Sequence, residues 1–354
     1  MNSEWKSFLQ EQGANFNEQG SIKDFGNPEL EHFLVKHGPI LADLSHQTLI
    51  KVTGEETATF LQGQFSNDLN DVTDTKGQLT AYCEPQGKVL ALITVFKQGE
   101  AYYLSFDSSL KDQIMQRLTM FKLRSKVELE DVSEQMIQIG YAGEFADLDL
   151  QRALSTKIKE TYQVESVSKE GLEGVIGIKL PGPYHRYSLF GDIETIKQIW
   201  NTLSGNSEGV GQNDWALLNI VSGQPEVTVN TSNEFIAQFL NLDKLEAINF
   251  KKGCFPGQEI IARMHYRGKA TKRMVRLHIN EPLSLTSGEE LVLQDDADRN
   301  YKFAIISIGQ DIYEGSIALA VTTLKPLESA QGDLKTATGS IATIEPMPYD
   351  LAEE

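Results

Sequence analysis

The chain is poor in cysteine, with only Cys83 and Cys254 among 354 residues. Two thiols exclude a disulfide framework, a four-thiolate structural zinc site and a cluster held by this chain's own cysteines, so a reducing cytoplasm is the simplest compartment. Long apolar runs are also missing. The longest, Val89 to Phe96, is far short of the roughly 20 residues that a helix needs to cross a bilayer. The opening Met-Asn-Ser-Glu-Trp-Lys has no basic region followed by an apolar stretch, so no secretory signal is expected. Cations are the minority charge, 32 lysines and arginines against 50 acids for a net charge of -18. Such a field repels polyanions, which argues against a generic nucleic-acid or anionic-membrane binder.

What is present fits a soluble globular protein, 40% hydrophobic and 23% charged, long enough for two or three domains. Residues 1–37 mix polar residues with aromatic and aliphatic ones and predict one or two short helices packed on the body. Ile40 to Val52 alternates as a strand pair around Ser45-His46-Gln47, with His46 as a turn residue. Gly54 to Asp68 predicts a short helix capped by Gly63, followed by a turn that carries Gln64, Asn67 and Asp68 back toward the helix's packing partner. That turn reads equally as an Asx turn or as a ligand-lining loop.

Residues 78–107 predict three strands joined by tight turns, with Cys83 a small buried hydrophobe. A helix at Ser109 to Phe121 and a strand at Lys126 to Leu129 complete an α+β unit. A second unit follows. Its strands are expected at Met136 to Tyr141, Gly174 to Leu180 and Tyr187 to Gly191, and its helices at Ala146 to Tyr162 and, capped by Asp192, through Leu203. Asn206 to Gln212 reads as a linker, Asn213 to Val221 as a helix, and 234–242 as another. Short strands from Val275 to Ile344 predict a small C-terminal antiparallel barrel.

Residues 251–274 concentrate the chemistry. Lys252-Gly253-Cys254 is expected to leave a strand at Ile248 to Phe250, and Pro256 suits the first turn of a helix over Gln258 to His265, with Ile260, Ile261 and Met264 on its buried side. Glu259 and Arg263, four apart, can pair. A thiol beside Lys251 and Lys252 and just before a helix N-terminus is in the setting of a reactive cysteine. A structural turn with an inert thiol is the bland alternative. Between Lys251 and Asn280, Glu259 is the only acid against eight cations: Lys251, Lys252, Arg263, Arg267, Lys269, Lys272, Arg273 and Arg276. A run of one sign in an acidic chain points to an anion, whether a carboxylate tail, a phosphate or an RNA backbone. No metal site is expected, since Cys254 and His265 alone are too few ligands.

Lys252-Gly253-Cys254-Phe255-Pro256-Gly257-Gln258-Glu259 resembles the signature of the YgfZ family, which is related to the tetrahydrofolate-dependent aminomethyltransferase of the glycine cleavage system and to mitochondrial iron–sulfur assembly factors. The resemblance extends to Phe250-Lys251, Ala262-Arg263, Tyr266-Arg267-Gly268-Lys269, Phe239-Leu240-Asn241-Leu242, and Phe60-Leu61-Gln62-Gly63-Gln64 with Asn67-Asp68. It implies an α+β, aminomethyltransferase-like multidomain ring around a central opening, with ferredoxin-like units and a C-terminal antiparallel β-barrel. The boundaries expected are 1–37 for an N-terminal helical extension, 38–65 with 128–250 for a discontinuous α+β core, 66–127 for an inserted unit, 251–274 for the signature and 275–354 for the barrel.

The resemblance further implies a cytoplasmic folate-binding protein that supports assembly or repair of iron–sulfur enzymes, including those that modify tRNA. Its partners would be iron–sulfur proteins or their assembly machinery, with tRNA met only indirectly, no membrane, and no intrinsic cluster. Cys254 would be the critical thiol, Gln258, Glu259, Arg263 and Arg267 the contacts for tetrahydrofolate, and Lys252, Gly253 and Gly257 structural parts of the motif. Two departures matter. Ala91 and Leu92 stand where the aminomethyltransferases carry an aspartate pair, and neither can act as a general base or stabilise an iminium. Val221 stands where folate-binding relatives have a glutamate for the pterin's donor face, a loss on the order of 1.5–3 kcal/mol. A folate-dependent one-carbon transferase and a tRNA-binding module are the alternative functions.

Overall fold

The structure is a computed structural model and describes residues 1–167 and 169–351. Its class is α+β, as expected. The strand Ile40–Asp43 lies inside a six-stranded sheet ordered Val164–Ser166, Ile176–Leu180, His185–Gly191, Ile137–Gly143, Ile40–Asp43, Glu208–Val210. Neighbours are antiparallel except at the last pair, where Glu208–Val210 runs parallel to Ile40–Asp43. A five-stranded sheet is ordered Gln78–Cys83, Val89–Gln98, Ala101–Asp107, Gln47–Thr53, Glu128–Asp131.

The chain forms two compact units. One comprises residues 1–61, 69–79 and 93–218, the other residues 62–68, 80–92 and 219–354. In the first unit, helices Ala146–Leu154 and Ile193–Leu203 bury Leu150, Ile196, Ile199 and Trp200 against the six-stranded sheet. Asp192 caps the second helix by accepting from the Thr195 N–H at 3.0 Å. The N-terminal helix Ser3–Glu11 locks into that core through Trp5, which is fully buried, meets Trp200 edge to face at 5.6 Å and donates its indole N–H to Asp43 at 2.8 Å.

The second unit ends in a closed barrel of six strands, Lys272–Ile279, Ser316–Thr323, Asn300–Gln310, Glu290–Gln294, Leu334–Lys335 and Ile341–Glu345. Inward residues such as Leu277, Leu293, Phe303 and Ala320 fill it, leaving a packed core.

Five local expectations are corrected. The strand pair expected over Ile40 to Val52 does not form, because Ile40–Asp43 joins the six-stranded sheet and Gln47–Thr53 the five-stranded one. The helix expected to reach Tyr162 stops at Leu154, because Ser155 turns left-handed at φ 56 and the Thr156 hydroxyl takes the Leu154 carbonyl. The stretch at 206–212 is no linker: Glu208–Val210 is a sheet edge, and its glycines serve close approach. A Cβ on Gly209 would lie 2.9 Å from the Phe25 ring, and one on Gly211 would lie 2.1 Å from the Lys23 carbonyl. The helix expected over 234–242 is one 3-10 turn, Ala237–Leu240, ended by Asn241 at φ 57. No strand forms at Ile248 to Phe250, since the Asn249 side chain accepts from the Lys251 and Lys252 N–H groups at 2.8 and 3.0 Å and turns the chain.

Candidate functional site

The signature segment lies wholly in the second unit. Its helix spans Gln258–Arg267 and is preceded by Gly257 at φ 86. Only glycine suits that position, because a Cβ would sit 2.6 Å from the Glu84 carbonyl and 2.7 Å from the Gly87 Cα. At Gly87, itself at φ 77, an added Cβ would lie only 3.3 Å from the side chains of Ile260 and Ile261. The helix start is thereby seated on the turn Glu84-Pro85-Gln86-Gly87. Of the three residues expected on its buried side, Ile261 is fully buried while Ile260 and Met264 are half-buried.

Lys252 is where the structure departs most from a reading of free cations around a thiol. The side chain is buried, and its ammonium donates to the carbonyls of Gln62 at 2.7 Å, Phe65 at 2.6 Å and Asn67 at 2.9 Å. Burial pushes it from the ordinary lysine range down to about 8, opposed by the charge of Asp68. The segment that the ammonium grips contains Gln62, Gln64, Asn67 and Asp68, the block that resembles the family near the N-terminus. The Asp68 N–H is held by the Asn67 side chain at 3.0 Å, and the Asn67 amide donates to the Glu246 carbonyl at 2.8 Å. Two sequence blocks about 190 residues apart thus form one cradle around a buried ammonium.

The same correction applies at the other end of the run. Arg273 is buried, binds Asp243 through both guanidinium arms at 2.6 and 2.9 Å, and donates to the Gln238 carbonyl. Arg276 donates to the Val221 carbonyl at 2.8 Å and meets Glu345 at 2.9 Å. Arg263 pairs with Glu259 at 2.6 Å on the exposed helix face. Half of the eight cations are therefore engaged within the fold. Lys251, Arg267 and Lys272 are exposed and form no ion pair among the described residues.

Cys254 is exposed at the end of the loop that Lys252 anchors. Cys83 is fully buried, and desolvation pushes its thiol up to about 12. Gln258 donates to the Lys252 carbonyl at 3.4 Å, so the loop and helix brace each other. Phe250 lies flat on His265 at 3.8 Å, and Tyr266, 64% exposed, stands across both rings.

Sequence reasoning missed Gln238 and Asn241. The Gln238 side-chain amide donates to the Ile261 carbonyl at 2.7 Å while the Gln238 backbone carbonyl accepts from Arg273, which ties the motif helix to the first barrel strand. Asn241 donates to the Met274 carbonyl at 2.8 Å. Their nearest signal was the phrase Phe239-Leu240-Asn241-Leu242, which marks a place without naming a role.

The donor set matches one part of a folate. Arg263 and Arg267 are exposed cations four apart on one helix face; Arg263 is paired with Glu259, so a carboxylate tail would meet Arg267 directly and compete with Glu259 for Arg263. A pterin ring is less well served, since Glu259 is already committed to Arg263 and Val221 offers no carboxylate. Ala91 is fully buried and carries no ionisable group. Among the described residues no group of three or more His, Cys, Asp or Glu side chains is arranged to hold a metal ion, and no helix is long and apolar enough to cross a membrane.

The architecture defines the class: it is the fold of the glycine-cleavage aminomethyltransferases. The crystal structure of aminomethyltransferase T from Bartonella henselae superposes with a TM-score of 0.79 over 97% of this chain and 96% of that one, at 14% identity. The family model for the GCVT N-terminal domain matches residues 7–169. Within that class the chain resembles the YgfZ family over most of its length. It is 28% identical over 315 residues to the tRNA-modifying protein YgfZ of Escherichia coli O157:H7, covering 88% of this chain and 94% of that protein. Its namesake in Yersinia pseudotuberculosis serotype IB is likewise 28% identical over 89% of this chain and 93% of its own.

Proposed function

We propose that this chain is a cytoplasmic YgfZ-like accessory protein that supports the assembly or repair of iron–sulfur enzymes, among them enzymes that modify tRNA. Cys254 is its critical thiol. The observation that carries the reading is an exposed cysteine at the end of a loop fixed by a buried lysine, in a chain similar to tRNA-modifying proteins over nine-tenths of its length. A loop anchored by three charge-assisted hydrogen bonds presents its thiol in a fixed place, which a transient contact with a client protein requires. Replacing Cys254 by Ala is expected to lower iron–sulfur enzyme activity and tRNA modification in cells while the purified variant melts as the wild type does. Unchanged activity would sink the role of the thiol.

Tetrahydrofolate is the ligand compatible with the fold, held through its acid tail by Arg263 and Arg267 beside Gln258 and Glu259. The apolar pair Ala91 and Leu92 disfavours one-carbon transfer by the aminomethyltransferase route, so folate serves here as a bound ligand and tRNA is reached through the client enzymes. Val221→Glu restores a carboxylate for the pterin and is expected to tighten tetrahydrofolate binding about ten-fold or more, since a hydrogen bond to a charged group contributes about 1.5–3 kcal/mol. Calorimetric titration of both proteins measures it. Equal affinities would remove the pterin from the neighbourhood of residue 221.

A further inference from the structure

The aromatic cluster at the end of the signature helix is not needed by anything described above. Phe250 and His265 are parallel, 10° between planes at 3.8 Å, and Tyr266 meets them at 73° and 74° with centroids 6.3 and 4.6 Å away. Two ring planes therefore meet in a corner. His265 and Tyr266 are exposed, and the tyrosine keeps 64% of its surface in water. A helix C-terminus explains a cation in its last turn, and that accounts for Arg267. It does not account for a large aromatic ring held in solvent beside a stacked pair.

Charge distinguishes the occupants. Lys251 follows Phe250 and Arg267 follows Tyr266 in the chain, so two exposed cations that form no ion pair among the described residues are the sequence neighbours of the corner, with Lys272 a third in the same segment. The one acid of the segment, Glu259, is neutralised by Arg263. Flat rings flanked by cations in an acidic protein match a ligand that is both planar and polyanionic. A single-stranded nucleic acid has that character: its bases stack on aromatic faces and its phosphates meet the cations. A duplex keeps its base faces covered, and an acidic peptide has no planes to stack.

We propose that the corner formed by Phe250, His265 and Tyr266, with Lys251 and Arg267 beside it, binds unpaired nucleotides of an RNA. The proposal rests on the reading of the chain as a factor in tRNA modification and replaces its indirect route to tRNA with direct contact on the helix that follows the Cys254 loop. Tyr266 supplies the stacking face, and the cations hold the backbone on either side.

The test is fluorescence anisotropy of the full chain with a short fluorescein-labelled single-stranded RNA, the corresponding duplex, and polyglutamate as competitor. Saturable binding of the single strand is expected, weakened about ten-fold by Tyr266→Ala and within about two-fold of wild type for Tyr266→Phe, which keeps the ring. Lys251→Gln is expected to lower the salt slope by about 0.7, the value of one phosphate contact on a single strand. The exposed position of Tyr266 keeps both ring variants folded, which a thermal melt verifies. The proposal is overturned by absence of binding at low salt, by equal binding of the duplex, by displacement with polyglutamate at equal charge, or by an unchanged affinity of Tyr266→Ala. The two readings fail separately. Unchanged enzyme activity with Cys254→Ala sinks the thiol's role and leaves RNA affinity standing, whereas unchanged RNA affinity with Tyr266→Ala sinks the RNA contact alone.

Discussion

Lys251 and Lys252 are adjacent in sequence and opposite in role. One is exposed with no ion pair among the described residues, and the other is buried with its ammonium on three carbonyls. The contrast runs through the whole signature segment. A buried set of Lys252, Gly257 and Arg273 holds the loop, the helix start and the first barrel strand in place. An exposed set of Cys254, Glu259, Arg263, Tyr266 and Arg267 faces solvent. Residue type does not sort them, since lysine and arginine occur on both sides. What sorts them is whether the charge has lost its water, and that sets the scale of every substitution.

The largest effect is expected at Arg273. Its side chain and that of Asp243 are 6% and 10% exposed, so Arg273→Met strands a carboxylate away from water. Breaking a buried pair from one side costs about 3–5 kcal/mol. Urea unfolding should register that loss, and the double variant Arg273→Met/Asp243→Leu should recover much of it. Failure of the double variant to recover would mean that the Gln238 contact matters more than the ion pair.

Lys252→Met comes next, at about 2–4 kcal/mol, because three carbonyls lose their donor while the stem volume is kept. This site also has a pH signature. The folded pKa, about 8, lies below the ordinary lysine value of 10.5, so between these values the unfolded chain binds more protons than the folded one. The residue's contribution to stability is complete above pH 10.5 and falls as pH drops through 8. The gap between wild type and Lys252→Met should therefore widen as pH is raised across that window. A flat gap would show that the carbonyls hold the proton on the lysine throughout.

The degree to which the sequence was legible follows the same division. The α+β class and the C-terminal barrel were readable because alternation and turn spacing are local, and the motif helix was readable because Pro256, Gly257 and the pair at 259 and 263 are local too. The strand at 208–210 was not, since its reason for existing is a parallel partner at 40–42, far away in the chain. Nor was the burial of Lys252 and Arg273. Their partners are carbonyls near residue 65 and a carboxylate thirty residues upstream, and backbone carbonyls leave no trace in residue type. A cation run therefore looked more available to an outside anion than it is.

The smallest effect on stability is expected at Arg263→Ala, and that is its use. Glu259 and Arg263 are 81% and 61% exposed at the side chain, and a helix-surface pair of this kind is worth about 0.3–0.5 kcal/mol. A thermal melt should hardly move. Any loss of tetrahydrofolate affinity in this variant would then belong to the exposed face itself and not to a loosened scaffold, which no substitution at Lys252 or Arg273 can establish. A melt lowered as far as that of Lys252→Met would break the division between held and presented residues, because it would mean that the exposed pair also carries the fold.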